Sequence, residues 1–347
     1  GDRMTEICYN DLELHELKTF FESINEKGFR AKQMFEALHK QNIQDIDNIT
    51  VFSKKVREKL SKKGYINKSN IEEKLVSNID ETRKYLIRLN DGNIIESVYM
   101  HYSTHSTICI SSQVGCKMGC AFCASTKKQF ARSLKPSELL NQVYLVSKDV
   151  GERISNVVLM GIGEPLDNYD NVLKFIKILN SEDGYNMSIR NFTLSTCGIV
   201  PRIYDLANED MQINITISLH NPFDEERSKI MPIGKKYSIE EIIEACKYYY
   251  EKTGRRISFE YTLIKDENDT MAHVIKLAKL LKGLNCHVNL IPLNPIKEFK
   301  SKASYNDTIK KFQRELEKRG ITTTIRRKQG EDIDGACGQL RASHIDQ

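Results

Sequence analysis

From residue 107 onward the chain alternates short apolar runs with stretches of helical periodicity, and that alternation limits the folds open to it. The runs are TICISS (107–112), ISNVVLMG (154–161), RNFTLST (190–196), MQINITISLH (211–220), RISFEYTLI (256–264) and CHVNLIPL (286–293). They are rich in β-branched residues and almost continuously apolar, the pattern of strands covered on both faces. Helical stretches fall between and after them at 136–149, 170–180, 199–208, 238–252, 269–282 and 305–319. Some six βα repeats of this kind predict an α/β protein on a parallel sheet. No glycine-rich dinucleotide fingerprint follows the first run, which disfavours a doubly wound nucleotide fold. A partial (β/α)6 TIM-like barrel fits better. Polar residues stand at the ends of the runs, at Glu164, Ser195, Ser218, His220 and Asn294. In barrels the C-terminal strand ends carry the active site.

The residues before the repeats divide in two. Residues 1–70 predict a small helical domain: apolar positions in DLELHELKTFFESINE and FRAKQMFEALHKQ recur at 3–4 spacing, and a third helix near 52–62 stops at Gly64. Residues 71–108 alternate in short runs and carry Asn90-Asp91-Gly92, a hairpin signal, so a connecting β-hairpin region is expected. Residues 109–347 would then form the barrel and a C-terminal segment. No apolar run reaches the roughly 18–20 residues that span a bilayer, and no signal-peptide pattern opens the chain. A cytoplasmic protein without a membrane partner is expected. The stretch 52–68 holds seven Lys/Arg against one Glu. It is either a solvated helix face or a surface for phosphates.

Nine cysteines without a secretion signal point to thiol or metal chemistry, not to a disulfide framework. Three of them form Cys116-x3-Cys120-x2-Cys123. Structural zinc would need a fourth Cys or His at suitable spacing. His101 and His105 lie upstream, but no paired C-x2-C follows downstream. A [4Fe–4S] cube held by three thiolates would keep one iron open to an outside ligand. MGIGEPL (160–166) ends the second run: it is either an ordinary glycine-rich turn or a place where Gly161 and Gly163 let backbone approach a ligand and Glu164 accepts from an amine. Cys337, between Ala336 and Gly338, is either a packing thiol or one left accessible by small neighbours. Glu96, inside the apolar stretch NIIESVYM, is either outward-facing or functional.

The C-x3-C-x2-C spacing, with Phe122 before the last cysteine, resembles the radical S-adenosylmethionine (SAM) superfamily. Together IIESVYM, CISSQVGCKMGCAFC, MGIGEPLDNYDNV, LSTCGIVP, ISLHNPFDEERSKIMPI, FEYTLI, HVNLIPLNP and GEDIDGACGQL resemble the RlmN family over essentially the whole chain. The resemblance implies a dual-specificity methyltransferase acting on C2 of an adenosine in 23S rRNA and in some tRNAs. Cys116, Cys120 and Cys123 would hold the [4Fe–4S] cluster. Gly163, Glu164, Ser195, Ser218, Leu219, His220 and Asn294 would bind SAM, two molecules of which are used per turnover. One SAM would methylate Cys337; the second would be cleaved to a 5′-deoxyadenosyl radical that activates this methyl for addition to adenine C2. Cys109 would resolve the protein–RNA adduct, ending in a Cys109–Cys337 disulfide, and Glu96 would be the proton acceptor. A flavodoxin-type electron donor and a monomeric state are implied. The target base would have to leave its stack, and residues 52–68 and Arg326-Arg327-Lys328 become candidate phosphate contacts.

Departures from the family pattern are CAST after the cluster, MGIGEP in place of MGMGEP, and Cys197 where serine is commoner. The nearest rival is the C8-specific relative Cfr; SSQVGC and GEPL here, against SSQCGC and GEAL there, favour C2. Two rivals from other classes are a non-catalytic iron–sulfur RNA-binding or assembly factor and a zinc-binding RNA module. The first is opposed by the joint presence of Cys109, Cys337 and Glu96.

Overall fold

The computed structural model describes residues 6–127, 129–336 and 338–340. Its framework is a ten-stranded sheet in which strand order follows chain order. Three antiparallel strands come first: β1 (Asn70–Val76), β2 (Arg83–Arg88) and β3 (Ile94–His101). β4 (Ser106–Cys109) is antiparallel to β3 but parallel to β5 (Asn156–Leu159). β6 (Phe192–Thr196), β7 (Asn214–Ser218), β8 (Ile257–Leu263) and β9 (Cys286–Pro292) continue the parallel series. These are the six expected strands in the expected order. A seventh, β10 (Thr322–Ile325), pairs with β9 at the edge; its run of threonines carries too little hydrophobicity to stand out in the sequence.

Helices α4 (Pro136–Val150), α5 (Tyr169–Asn180), α6 (Val200–Ala207), α8 (Ile239–Thr253), α9 (Met271–Leu281) and α10 (Asn306–Lys318) return the chain between strands, with a short α7 (Asp224–Ile230) inserted after β7. Their apolar stripes face the sheet, and residues from every layer share one core. The architecture is the expected partial (β/α) barrel with an antiparallel extension. Among the described residues no helix is long and apolar enough to cross a membrane.

Helices α1 (Leu14–Ser23), α2 (Gly28–His39) and α3 (Lys54–Lys63) make up the N-terminal module. Ser53 caps α3 by accepting from Val56 N–H at 3.3 Å. Gly64 ends it differently from expectation. Its backbone is extended and starts a two-residue parallel pairing with Ile7–Cys8. Glycine is needed there because a Cβ would lie 2.2 Å from the Ile7 carbonyl oxygen.

The module docks on α4 through buried polar contacts. Asn10 and Asn67 bond reciprocally at 2.8 Å, and Asn67 donates to Ser137 Oγ at 2.9 Å. His39 Nδ1 lies 2.9 Å from Tyr144 Oη, and burial lowers the His39 pKa to about 3. The folded state therefore keeps His39 neutral while the unfolded chain protonates it below about 6.5. This contribution is complete above pH 6.5 and is lost as pH falls toward 3, at up to about 1.4 kcal/mol per pH unit. His39→Gln is expected to flatten the fall in unfolding free energy between pH 6.5 and 5, measured by urea titration. A slope equal to wild type would contradict the burial argument.

Candidate active site

The loop after β4 carries the three spaced cysteines. Gly115, with φ of +77°, turns the chain where any Cβ would meet Gln129 O at 2.6 Å. Thr126 Oγ1 then donates to the carbonyls of Cys120 and Cys123, both at 3.0 Å, and closes the loop on itself. Thr126 is one of the departures from the family pattern, and it takes a structural role. Cys116, Cys120 and Cys123 border one cavity of about 130 Å³, shared with Gly163, Glu164, Ser195, Ser218, His220 and Glu260. Burial pushes the Cys116 thiol up to about 12 and the Cys120 thiol higher, and the neighbouring sulfurs add to both shifts. Thiolates so placed need a compensating cation. The three sulfurs do not gather within 4.8 Å of one another; among the described residues the His/Cys/Asp/Glu group that does is Glu13, His15 and Glu16, at the start of α1. A single tetrahedral zinc, with Zn–S near 2.3 Å, therefore does not suit the trio. Three thiols on one loop match in number the donor set of a [4Fe–4S] cluster that keeps one iron open.

Glu164 follows β5. Its Oε1 accepts from Thr196 Oγ1 at 3.0 Å and Cys197 N–H at 2.7 Å, and its Oε2 from Leu166 N–H at 2.9 Å. Burial raises its pKa, opposed by these bonds. The glycines beside it make room chiefly for the protein itself. A Cβ on Gly161 would lie 2.6 Å from Ile110 O, and one on Gly163 2.6 Å from Gln113 Cβ. The close approach they permit is thus to the cluster loop, while both residues still border the cavity. Cys197, the other departure with a thiol, donates its S–H to Glu164; burial and then the carboxylate charge hold this thiol well above its usual pKa. A serine would make the same bond.

Ser195 and Ser218 sit at the ends of β6 and β7 on the cavity wall. Leu219 is buried and bonds through its N–H to Glu260 O at 3.0 Å. His220 takes a left-handed backbone, φ +62°, and its Nδ1 accepts from Thr262 N–H at 2.9 Å. The ring proton is therefore on Nε2, and burial lowers its pKa to about 3. Its ring meets Phe122 edge-on at 4.6 Å. Asn294 falls elsewhere, on a second and larger cavity.

That cavity, about 420 Å³, adjoins the first through Cys123, Ser125, Met160, Gly161 and Gly338. Cys109 lies on its wall, and so do Ala336 and Gly338. Cys337 itself, with its expected disulfide to Cys109, lies outside the described residues; no disulfide joins two described ones. The chain is held to the cluster loop just after position 337. Gly338 O accepts from Ala124 N–H at 2.7 Å, and Leu340 O from Ser125 Oγ at 2.9 Å. Register places Lys84, Val98, Cys109 and Val158 side by side on β2 to β5. Glu96 is two residues before Val98, hence on the same face, but it is fully buried and does not border the cavity. It is paired with Lys84, itself buried, at 2.8 Å.

Two buried charges of the site went unnoticed in the sequence. Arg227 of α7 is wholly buried and donates to Cys197 O at 2.7 Å, Ser218 O at 3.0 Å and Leu219 O at 3.0 Å. It ties down the ends of β6 and β7, and its charge favours ionisation of Cys120. Glu260 of β8 is bridged to Arg326. Only the DEER acid-rich context of Arg227 hinted at a role, and that reads equally as an exposed helix. Arg227→Met is expected to cost about 2–4 kcal/mol through three orphaned carbonyls. An unfolding midpoint within 1 °C of wild type, a tolerance of about 0.7 kcal/mol for this size, would contradict it.

Comparison with known proteins places this geometry. Residues 110–278 match the radical SAM superfamily, and residues 9–66 match the ribosomal RNA large subunit methyltransferase N-terminal domain. The probable dual-specificity RNA methyltransferase RlmN of Finegoldia magna is 56% identical over 98% of this chain and 97% of its own length. The protein of the same description from Clostridioides difficile is 51% identical, covering 95% and 96%. The crystal structure of a radical SAM methyltransferase from Sphaerobacter thermophilus superposes with a TM-score of 0.92 at 39% identity, covering 97% of this chain and all of the other.

Proposed function

The chain belongs to the RlmN family of radical SAM RNA methyltransferases, and on that premise we propose that it methylates C2 of an adenosine in 23S rRNA and in some tRNAs, with Cys337 carrying the methyl carbon. The observation that carries the proposal is one cavity bordered by Cys109, by both neighbours of Cys337 and by the cluster-loop residue Cys123. The volume of about 420 Å³ suits a flipped-out base.

The family's cofactors are a [4Fe–4S] cluster and SAM, and when bound they supply the one-electron, hydrogen-abstracting chemistry that an unactivated aromatic C–H requires. Cys116, Cys120 and Cys123 would hold the cluster. Gly163, Glu164, Ser195, Ser218, Leu219 and His220 would hold SAM in the smaller cavity: Glu164 accepts from its amine, and neutral His220 donates through Nε2. Asn294 would act from the larger cavity, at the boundary between SAM and base. Cys337 brings the carbon to C2. Glu96 receives the C2 proton, and the one electron released with it as the ring regains aromaticity would be taken up by the redox chemistry the cluster supplies when bound; the proton's path runs past Val98 and competes with Lys84 for the carboxylate. The Cys109 thiolate then attacks the Cys337 sulfur: the S–S bond forms as S–C breaks, and the carbon leaves with the electron pair and takes up a proton as methyl. The disulfide is afterwards reduced by an outside thiol, and a flavodoxin-type protein would supply electrons to the cluster. A monomer in the cytoplasm suffices for all of this.

RNA docking is assigned to the helical module of residues 1–70. Lys54, Lys55, Lys62 and Lys63 are exposed and make no ion pair among the described residues, whereas Lys59 and Lys68 are paired with Glu26 and Asp45. Of Arg326-Arg327-Lys328, Arg326 is tied to Glu260 inside the protein, which leaves Arg327 and Lys328 for phosphate. Changing the four exposed lysines to Gln is expected to reduce the slope of log K against log salt by up to about four, read from RNA-binding titrations. An unchanged slope would move the RNA surface elsewhere.

The test of the function is Cys337→Ala. With the purified, anaerobically reconstituted enzyme, RNA and methyl-labelled SAM, wild type should label both RNA and Cys337, and the variant should label neither while retaining its iron. Methylated RNA from the variant would refute the route through Cys337.

A further inference from the structure

The sheet is open, with β10 at one edge and β1 at the other. The run that follows β10 crosses between them. Arg326, Arg327, Lys328 and Gln329 border the large cavity, and by residue 332 the chain reaches the turn that follows β1. Asp332 there accepts from Ser77 Oγ at 2.7 Å and from Asn78 N–H at 2.9 Å. Gly330 N–H donates to Asp80 Oδ2 at 3.0 Å, and a Cβ on Gly330 would strike Thr82 Cγ2 at 2.8 Å. Tyr102, in the β3–β4 turn, donates to Gln329 Oε1 at 2.9 Å, and Lys84 donates to Asp334 O at 3.4 Å. Five contacts from the antiparallel extension thus converge on residues 329–334, which overlap the first half of the motif GEDIDGACGQL that contains Cys337.

We infer that residues 326–336 form a strap that closes the open barrel, and that its anchorage on the β1–β2 turn through Asp332 positions Cys337 for methyl transfer. This rests on the function proposed above. Asp332 touches neither cavity and is a positioning residue. Its carboxylate lies at the surface, so the substitution leaves the core intact. The inference also explains why the antiparallel extension is there, since β1 and β2 lie outside the parallel barrel yet supply the fixed point for the strap. A misplacement near 1 Å at the reacting carbon costs about 10²-fold in rate.

The test compares wild type, Asp332→Ala and Asp332→Asn as full-length reconstituted enzymes. Loss of two hydrogen bonds should raise amide hydrogen exchange in 330–336 by about tenfold, with 192–218 unchanged. It should lower kcat for RNA methylation by about 10²-fold, with iron content and KM for SAM unchanged. Asp332→Asn keeps one acceptor and should recover most of both. Exchange in Asp332→Ala equal to wild type would overturn the strap, and a loosened strap with wild-type kcat would overturn its role in positioning. If wild type itself methylates RNA without using Cys337, the proposed function fails; an exchange difference would then still establish the strap as a closure of the barrel.

Discussion

Cys120→Ala, reconstituted anaerobically, should be colourless and inactive, whereas wild type should be brown and hold about four irons per chain. The size of the effect follows from the site. Four thiols border the smaller cavity, three of them on the loop after β4, and burial already opposes the thiolate form of Cys116 and Cys120. With one removed, the two left cannot hold a cluster that is itself short of one protein ligand. Cys197 cannot stand in, because its thiol is committed to Glu164. The fold should survive, since the loop is closed by Thr126 and anchored to Gly338 and Leu340 through backbone and hydroxyl bonds that involve no metal. Iron analysis, the visible spectrum and a thermal melt decide the matter together. A brown Cys120→Ala protein with full iron would mean that the cluster is held elsewhere.

Cys109→Ala should stop the reaction one step later. On the proposed route, bond formation between Cys337 and the base does not use Cys109, but release does. The variant should therefore lose turnover by about three orders of magnitude or more and accumulate protein covalently joined to RNA, visible as a shifted band in denaturing gels and removed by nuclease. The pairing of β3, β4 and β5 sets Cys109 on the wall of the cavity that both neighbours of Cys337 border; the other described thiol there, Cys123, is the one proposed to hold the cluster. Multiple turnovers without a trapped species would show that the adduct resolves by another path.

The barrel was readable in the sequence because its strands are buried on both faces, which leaves unbroken apolar runs, and because each helix carries a stripe of matching period. The strand-end residues followed from that frame: Glu164, Ser195, Ser218 and His220 do meet around one cavity. What the sequence hid depends on distant neighbours. Arg227 and Lys84 lie in polar-looking contexts, and only the folded chain shows that one is sealed beneath three carbonyls and the other against Glu96. Gly161 and Gly163 suggested ligand contact, but their missing side chains are first required by the segment 110–113. Likewise Gly64 serves close packing against Ile7 instead of a left-handed helix cap. Arg326 looked like one of three phosphate contacts and is bound to Glu260.

The most direct measurement on the central claim is nucleoside mass spectrometry of 23S rRNA and tRNA, each taken from cells lacking this activity and incubated with reconstituted enzyme, SAM and reductant. The account predicts 2-methyladenosine as the product in both RNAs, absent with Cys337→Ala; 8-methyladenosine as the main product, or 2-methyladenosine formed equally well without Cys337, would contradict it.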